Sequence, residues 1–312
     1  MAHPTYSVIV PCYNEEAVLH ETHKRLTRVL SQMNEPYEIV YVNDGSRDKT
    51  PEILRELAAS DPHVRALMFA RNAGHQMAVT AGLDYACGDA IVIIDADLQD
   101  PPEVIPEMAE KWKNGAQVVY GQRRKREGET AFKKFTASAY YKILSWLTDG
   151  VAPRDTGDFR LVDKKAADAV RGMPEHARYL RGMFAWVGFR QEAVLFDRDK
   201  RFAGETHYPL KKMLKLALDG ILSFSFKPLK FITWLGAMGV MAGVAALLIL
   251  LILLCCGISG GLWWIAMLMI TCTGTVLCAL GVTGEYIARI YDEVRGRPLY
   301  IVADTVGFGE ED

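Results

Sequence analysis

The sequence predicts an α/β protein built on a doubly wound, largely parallel sheet and followed by two apolar helices. Three observations predict it. Short β-branched runs alternate with helix-period segments from Tyr6 to Ile94, the pattern of parallel strands covered on both faces. The strand runs end in polar turn clusters. Further along, no Asp, Glu, Lys, Arg or His occurs from Phe231 to Gly284, room for two helices of about 20 residues, each matched to a hydrocarbon core of about 30 Å.

The elements follow in order. Tyr6–Val10 is a strand ended by Pro11, and Glu15–Met33 carries apolar residues at helical spacing. Glu38–Val42 is the next strand, closed by Asn43-Asp44-Gly45-Ser46, a turn cluster that is also expected to cap a helix from about Thr50. Val64–Phe69, His75–Ala86 and Ala90–Ile94 give a third strand, a third helix and a fully apolar fourth strand. Glu103–Trp112 reads as a helix and Gln117–Gly121 as a further strand. Arg123–Lys134 is basic and polar, a loop leading into a helix with Tyr140, Tyr141 and Trp146. Residues 150–200 mix short strands and turns whose order the sequence does not set. Lys211–Phe226 is amphipathic, with Met213, Leu214 and Leu218 against Lys211, Lys212 and Lys215, as at a membrane interface.

The organisation expected is an α/β domain over 1–210, an amphipathic interfacial helix over 211–230, two transmembrane helices over 231–284, and a juxtamembrane helix and tail over 285–312. Lys227 and Lys230 precede the first span, Arg289, Arg295 and Arg297 follow the second, and Gly257–Gly261 between them is uncharged. Both ends are therefore expected in the cytoplasm, in a multi-pass protein of the cell membrane. The start of the chain lacks the basic and apolar pattern of a signal peptide. Gly239 and Gly243 form a GxxxG that suits close helix packing. The six cysteines have no metal-ligand spacing and read as reduced. A net charge of -2 gives no argument for nucleic acid as a partner.

In doubly wound sheets ligands bind beyond the carboxyl ends of the strands, so residues 11–15, 43–46, 71–72 and 95–99 are expected to converge. Asp95-Ala-Asp97 directly follows an apolar strand, and two such carboxylates suit Mg²⁺ or Mn²⁺ bridged to nucleotide phosphates, with Gln99 nearby. Taken alone, the pair is equally a solvated turn. Tyr13 and Glu15 suit base stacking and ribose hydroxyls, and Asp44 can accept from a nucleobase N–H. All of these at consecutive strand ends favour a nucleotide pocket.

The combination resembles the family 2 glycosyltransferases with the GT-A fold, and within them the polyprenyl-phosphate glycosyltransferases. That group includes dolichyl-phosphate mannose synthase, bactoprenol glucosyltransferase and the aminoarabinose transferases. The carrying residues are PCYNEE at 11–16, NDGS at 43–46, RNAGHQMAVTAG at 71–82, DADLQDPPE at 95–103, TGDFRL at 156–161, RFAGETHYPLKKM at 201–213 and GEYIARIYDEVRGRPLY at 284–300. The resemblance spans nearly the whole chain and is strongest to the bactoprenol glucosyltransferase branch. It implies inverting transfer of a sugar, glucose from UDP-glucose by branch, to undecaprenyl or another polyprenyl phosphate at the cytoplasmic membrane face. A homo-oligomer, a tetramer by family, is also implied. Pro11, Tyr13, Glu15, Asp44 and Asp95 would bind the nucleotide, and Asp95, Asp97 and Gln99 the metal. Asp97, Asp158 and Arg160 would be catalytic, Asp158 as base or as an orienting carboxylate, with Asp155 as the substitute base. Arg123, Arg124, Arg198, Arg201 and His207 would meet the phosphates of donor and acceptor. Two residues depart from the pattern: Asn43 stands where many relatives have Asp, and His207 where they commonly have Lys.

Other readings stay open. Donors with GDP-mannose, UDP-N-acetyl sugars or aminoarabinose fit the same motifs. A processive polysaccharide synthase would carry QxxRW, which Gln191–Arg198 does not match. A non-catalytic nucleotide-binding anchor would keep the strand-end acids only as turn and cap groups.

Overall fold

The computed structural model describes residues 3–124, 156–197, 227–256 and 262–308. The expectations for Asp155, Arg198, Arg201, His207, the basic loop beyond Arg124, the aromatic helix, the amphipathic helix over 211–226 and the 257–261 connection lie outside those residues.

Strands β1 (Tyr6–Cys12), β2 (Tyr37–Asn43), β3 (Val64–Phe69) and β4 (Ala90–Ile93) alternate with helices α1 (Leu19–Gln32), α2 (Thr50–Ser60) and α3 (His75–Tyr85). The four strands are parallel, in the order β4-β1-β2-β3. Their apolar runs face cores on both sides, which is why Val8, Ile9 and Val10 are all fully buried. On one side α1, α2 and α4 (Ile105–Lys113) cover Val8, Ile39 and Val92. On the other, α3, α5 (Lys164–Arg171) and α6 (Leu180–Trp186) cover Ile9, Val40 and Ile93.

The sheet is larger and less parallel than the sequence pattern alone suggests. It has eight strands, in the order β7-β5-β6-β4-β1-β2-β3-β8. Strand β6 (Thr156–Asp163) enters antiparallel between β4 and β5 (Val118–Arg123), and β7 (Gln191–Phe196) runs parallel to β5. The eighth strand, β8 (Val302–Val306), comes from the tail and pairs antiparallel with β3. The tail is also held through its side chains. Tyr300 stacks on Phe69 at 5.2 Å and its hydroxyl donates to Asp84 at 2.8 Å. Phe308 packs edge-on to Tyr85, with the Arg65 guanidinium over its ring. Gly307 has φ +80, and a Cβ there would meet the Val64 carbonyl oxygen at 2.4 Å.

Two long helices, α7 (Lys227–Cys255) and α8 (Leu262–Arg295), precede that strand. Both are long and apolar enough to cross a membrane, over Leu229–Ile249 and Met269–Arg295. At 34 residues α8 measures about 51 Å, well beyond a hydrocarbon core of about 30 Å. Its last turns carry Arg289, Asp292, Glu293 and Arg295 and reach the α/β domain. There Glu293 accepts from the backbone N–H and ring Nδ1 of His176, and the other ring nitrogen of His176 faces the Arg297 carbonyl oxygen. The apolar faces stand open: Trp234 keeps 71% of its surface and Ile270 72%. Among the described residues nothing lies within 4 Å of a Cβ built at Gly239 or Gly243.

Helix α3 lies so close to β1 that a Cβ at Gly82 would meet Ile9 Cγ2 at 2.2 Å. Gly82→Ala raises helix propensity by about 1 kcal/mol, but it overpacks this contact at a cost of about 1–3 kcal/mol. Thermal unfolding in detergent should therefore show a lower Tm for Gly82→Ala; an unchanged or higher Tm would contradict the close approach.

Candidate active site

The loops that leave β1, β2 and β3 hold one another through hydrogen bonds. Asn14, at φ 56, donates its backbone N–H to the Ser46 hydroxyl and accepts from the Arg47 backbone N–H. The Glu15 backbone N–H donates to the Thr50 hydroxyl, and Asp48 and Glu16 each accept from the other's loop. Before α2, whose N-cap position is Lys49, the Asp48 carboxylate supplies the side-chain acceptor, taking the Thr50 backbone N–H at 3.0 Å. The expectation that the Asn43–Ser46 cluster supplies that cap is therefore corrected. Asp44 instead turns toward the β3–α3 loop, where its carboxylate accepts from the backbone N–H groups of Ala73 at 2.6 Å and Gly74 at 3.0 Å and from the Asn72 amide at 2.9 Å. Burial pushes the Asp44 carboxyl up, and the two backbone donors oppose that shift. Gly45 makes the approach possible: at φ +65, a Cβ there would meet Asn72 N at 2.6 Å.

Past β4 the chain turns sharply. Asp97 accepts from the Gln99 backbone N–H at 3.1 Å, and buried Leu98 is held at φ 57, a conformation bulky residues seldom adopt. The antiparallel register of β4 and β6 ends at the pair Ile93–Arg160. Continued two residues further, it sets Asp95 opposite Asp158. Between these acids lies His75, the first residue of α3, with Nε2 at 3.2 Å from Asp158 and 3.7 Å from Asp95. Arg181 of α6 grips Asp158 with two donors, Nε at 2.7 Å and Nη2 at 3.0 Å.

This cluster is strongly polarised. Burial disfavours the charged form of Asp158, but His75 and Arg181 outweigh it and hold the carboxyl well below the usual range. Burial likewise opposes charge on His75, yet Asp158 and Asp95 push its pKa up to about 9. The Asp95 carboxyl is pushed up by burial and by the neighbouring Asp158 and Asp97, against the pull of His75. Arg160 is 3% exposed and donates to the carbonyls of Gly157 and Asp158, with its guanidinium 5.1 Å from the Phe184 ring centre. Burial lowers its pKa to about 10. It supports the Asp158 backbone rather than facing the opening.

The structure brings Asp95 and Asp158 together around His75, with Asp97 near Asp95 and Arg160 behind Asp158, while Gln99 meets Asp97 through its backbone N–H. Arg123 lies beside the start of β6, its guanidinium 3.8 Å from buried Asp100. Arg124 points elsewhere, to Asp197 at 3.1 Å. Pro11 is buried in β1 and Glu15 is half-buried, whereas Tyr13 is 45% exposed. Tyr13 lines a cavity of about 460 Å³ with Asn43, Arg71 and Asn72. Asp44 is not among the lining residues and sits behind that wall. Among the described residues no three His, Cys, Asp or Glu side chains are grouped to hold a metal. His75 and Arg181 were missed as site residues. His75 lies inside the quoted motif at 71–82 and begins a helix at a strand end, a usable signal. Arg181 sits in a helix far along the chain, with no local mark.

An α/β sheet of this order, with a carboxylate pair after its central strand, defines the GT-A class of fold. The chain belongs to glycosyl transferase family 2, whose profile matches residues 7–171; it is a glycosyltransferase. It is 53% identical over 98% of its length, and 95% of the relative's, to the uncharacterized glycosyltransferase YkcC of Bacillus subtilis (strain 168). It is 38% identical to the bactoprenol glucosyl transferase of Shigella phage SfII, covering 95% of this chain and 96% of the relative. Glucosyl-3-phosphoglycerate synthase from Mycobacterium tuberculosis, solved with Mn2+, UDP and phosphoglyceric acid, shares the fold. The TM-score is 0.51 at 18% identity, over 71% of this chain and 77% of that one.

Arg181→Lys keeps a positive charge but loses the two-pronged grip on Asp158. Sugar transfer should fall about a hundredfold while the melting temperature stays close to wild type. Kinetics and thermal melts on the same preparation check this, and full activity would remove Arg181 from the site.

Proposed function

We propose that this glycosyltransferase moves a sugar, glucose from UDP-glucose, onto undecaprenyl or another polyprenyl phosphate at the cytoplasmic membrane face, inverting the anomeric carbon. The observation that carries the reading is the union, in one chain, of a strand-end cluster of acids and cations with two long apolar helices left open on their faces. A water-soluble donor and a lipid-borne acceptor need such a pairing. The name of the phage relative supports the same acceptor.

The residues fit a divalent cation. Asp95 and Asp97 offer oxygen donors, the type Mg²⁺ and Mn²⁺ prefer, and a cation there would offset the burial and the neighbouring carboxylates that raise the Asp95 carboxyl. Two carboxylates fall short of an octahedral set, so the donor diphosphate would supply further ligands, with Gln99 adjacent. Such an ion, when bound, stabilises the charge of the departing nucleoside diphosphate.

The acceptor phosphate has a second pKa of about 6, so it is mostly a dianion at neutral pH and needs no strong base. Asp158, held ionised by Arg181 and His75, is a poor proton acceptor; its role is to fix those two cations toward the reacting phosphates. Tyr13 meets the nucleoside in the cavity, with Pro11, Glu15 and Asp44 shaping the loops behind it. Arg123 is the described basic residue best set for the lipid phosphate. Homo-oligomerisation is part of the same proposal, as is the orientation with both ends cytoplasmic.

Nucleotide sugars screened against undecaprenyl phosphate, with the lipid product detected by mass, test the reading: UDP-glucose should give a hexosyl lipid, and a product from GDP-mannose or a UDP-N-acetyl sugar would reassign the donor. Asp97→Asn should lower transfer by several orders of magnitude with the fold intact, and undiminished turnover in that variant under EDTA would sink the metal role. A cysteine at position 259 should label from outside and one at 312 only from the cytoplasm; labelling from one side would refute the two-span topology.

A further inference from the structure

The strand that follows the membrane helices forms part of the wall of the strand-end cavity. In the pairing of β8 with β3, Asp304 lies opposite Met68. Ala303 and Asp304 line the same cavity as Tyr13 and Arg71. Asp304 pairs with Arg55 of α2 at 3.3 Å and still keeps 52% of its side-chain surface open. It is the only carboxylate among the described lining residues, which also include Arg47, Arg55 and Arg71.

A nucleoside brings hydroxyl and ring N–H donors, and arginines cannot accept from them. Asp44, to which the motif would give that task, already accepts from residues 72–74 and stands outside the lining. Asp304 is not a fraying end either. Tyr300 stacks on Phe69 and hydrogen-bonds Asp84 on one side of it, and Phe308 packs on Tyr85 on the other. An acceptor fixed before binding loses little freedom when it is used.

We infer that Asp304 is a donor-binding residue: steadied by Arg55, its carboxylate accepts hydrogen bonds from the nucleoside, and Ala303 beside it keeps the space the nucleoside occupies. This rests on the reading that the cavity takes the nucleoside of a nucleotide sugar. It makes the part of the chain beyond the membrane helices a component of the donor site.

The test uses the full chain in nanodiscs, with UDP and Mn²⁺ as the calorimetric probe and Tyr13→Ala as a marker of the cavity. Losing a hydrogen bond to a charged group should weaken UDP about tenfold in Asp304→Ala. Ala303→Trp, which fills the cavity from the same exposed strand, should weaken UDP at least as much. In turnover, Asp304→Ala should raise the KM for the nucleotide sugar and leave the KM for lipid phosphate unchanged. Wild-type UDP affinity in both β8 variants, alongside loss in Tyr13→Ala, would overturn the inference and leave the donor reading standing. Wild-type affinity in Tyr13→Ala as well, or no UDP binding by the native chain, would overturn the donor reading and the inference with it.

Discussion

The buried carboxylate of Asp44 is the constraint from which the site is built. It stands just past the end of β2 but bonds to the loop after β3, accepting from the backbone N–H groups of Ala73 and Gly74 directly before α3. An unpaired buried carboxylate costs several kcal/mol, so the two loops have only one favourable arrangement. That arrangement sets where α3 begins, and α3 begins with His75. The imidazole reaches Asp158 from the residue that follows the Ala73–Gly74 backbone held by Asp44. Gly45 belongs to the same constraint, since any side chain there would collide with the Arg71–Asn72 backbone.

From that point the geometry is a matter of charge. Three acids, Asp95, Asp97 and Asp158, gather at the ends of β4 and β6, and His75 and Arg181 come from helices on one face of the sheet to meet them. The cations satisfy Asp158 first, at short, two-pronged distance, and leave the Asp95–Asp97 pair with excess negative charge. A site polarised in this way is acidic on one side and presents fixed positive groups on the other. Leu98, at φ 57, is the conformational cost of the turn in which Asp97 accepts from the Gln99 backbone N–H.

The first four strands and three helices were legible because their signal is local: apolar runs such as Ile91–Ile94, helical spacing, and turn residues between them. Strands β6 and β8 were not, because each is a short mixed segment whose status depends on a distant partner. No periodicity at Val302–Val306 reveals that β3 has a free edge. The site divides along the same line. Asp95, Asp97 and Asp158 were singled out from strand-end position and motif, and Asp95 and Asp158 lie together around His75. Arg181 was not, since its role exists only through the Asp158 it grips. Asp44 is legible as a strand-end carboxylate, but its bonds to the loop after β3 are not, since they depend on a segment nearly thirty residues away. Arg123 and Arg124 are neighbours in sequence, but strand alternation sends one to Asp100 and the other to Asp197.

The place of β8 in the chain has a consequence for biosynthesis. A ribosome delivers residues 302–306 only after both apolar helices have been made, so during translation β3 waits with an open edge. Open edges of this kind recruit other strands. The α/β part of the enzyme therefore closes its sheet only when the two apolar helices have already been produced, and a product cut short before β8 carries an unfinished edge. Completion of the sheet is thus tied to synthesis of both apolar helices through a single five-residue strand.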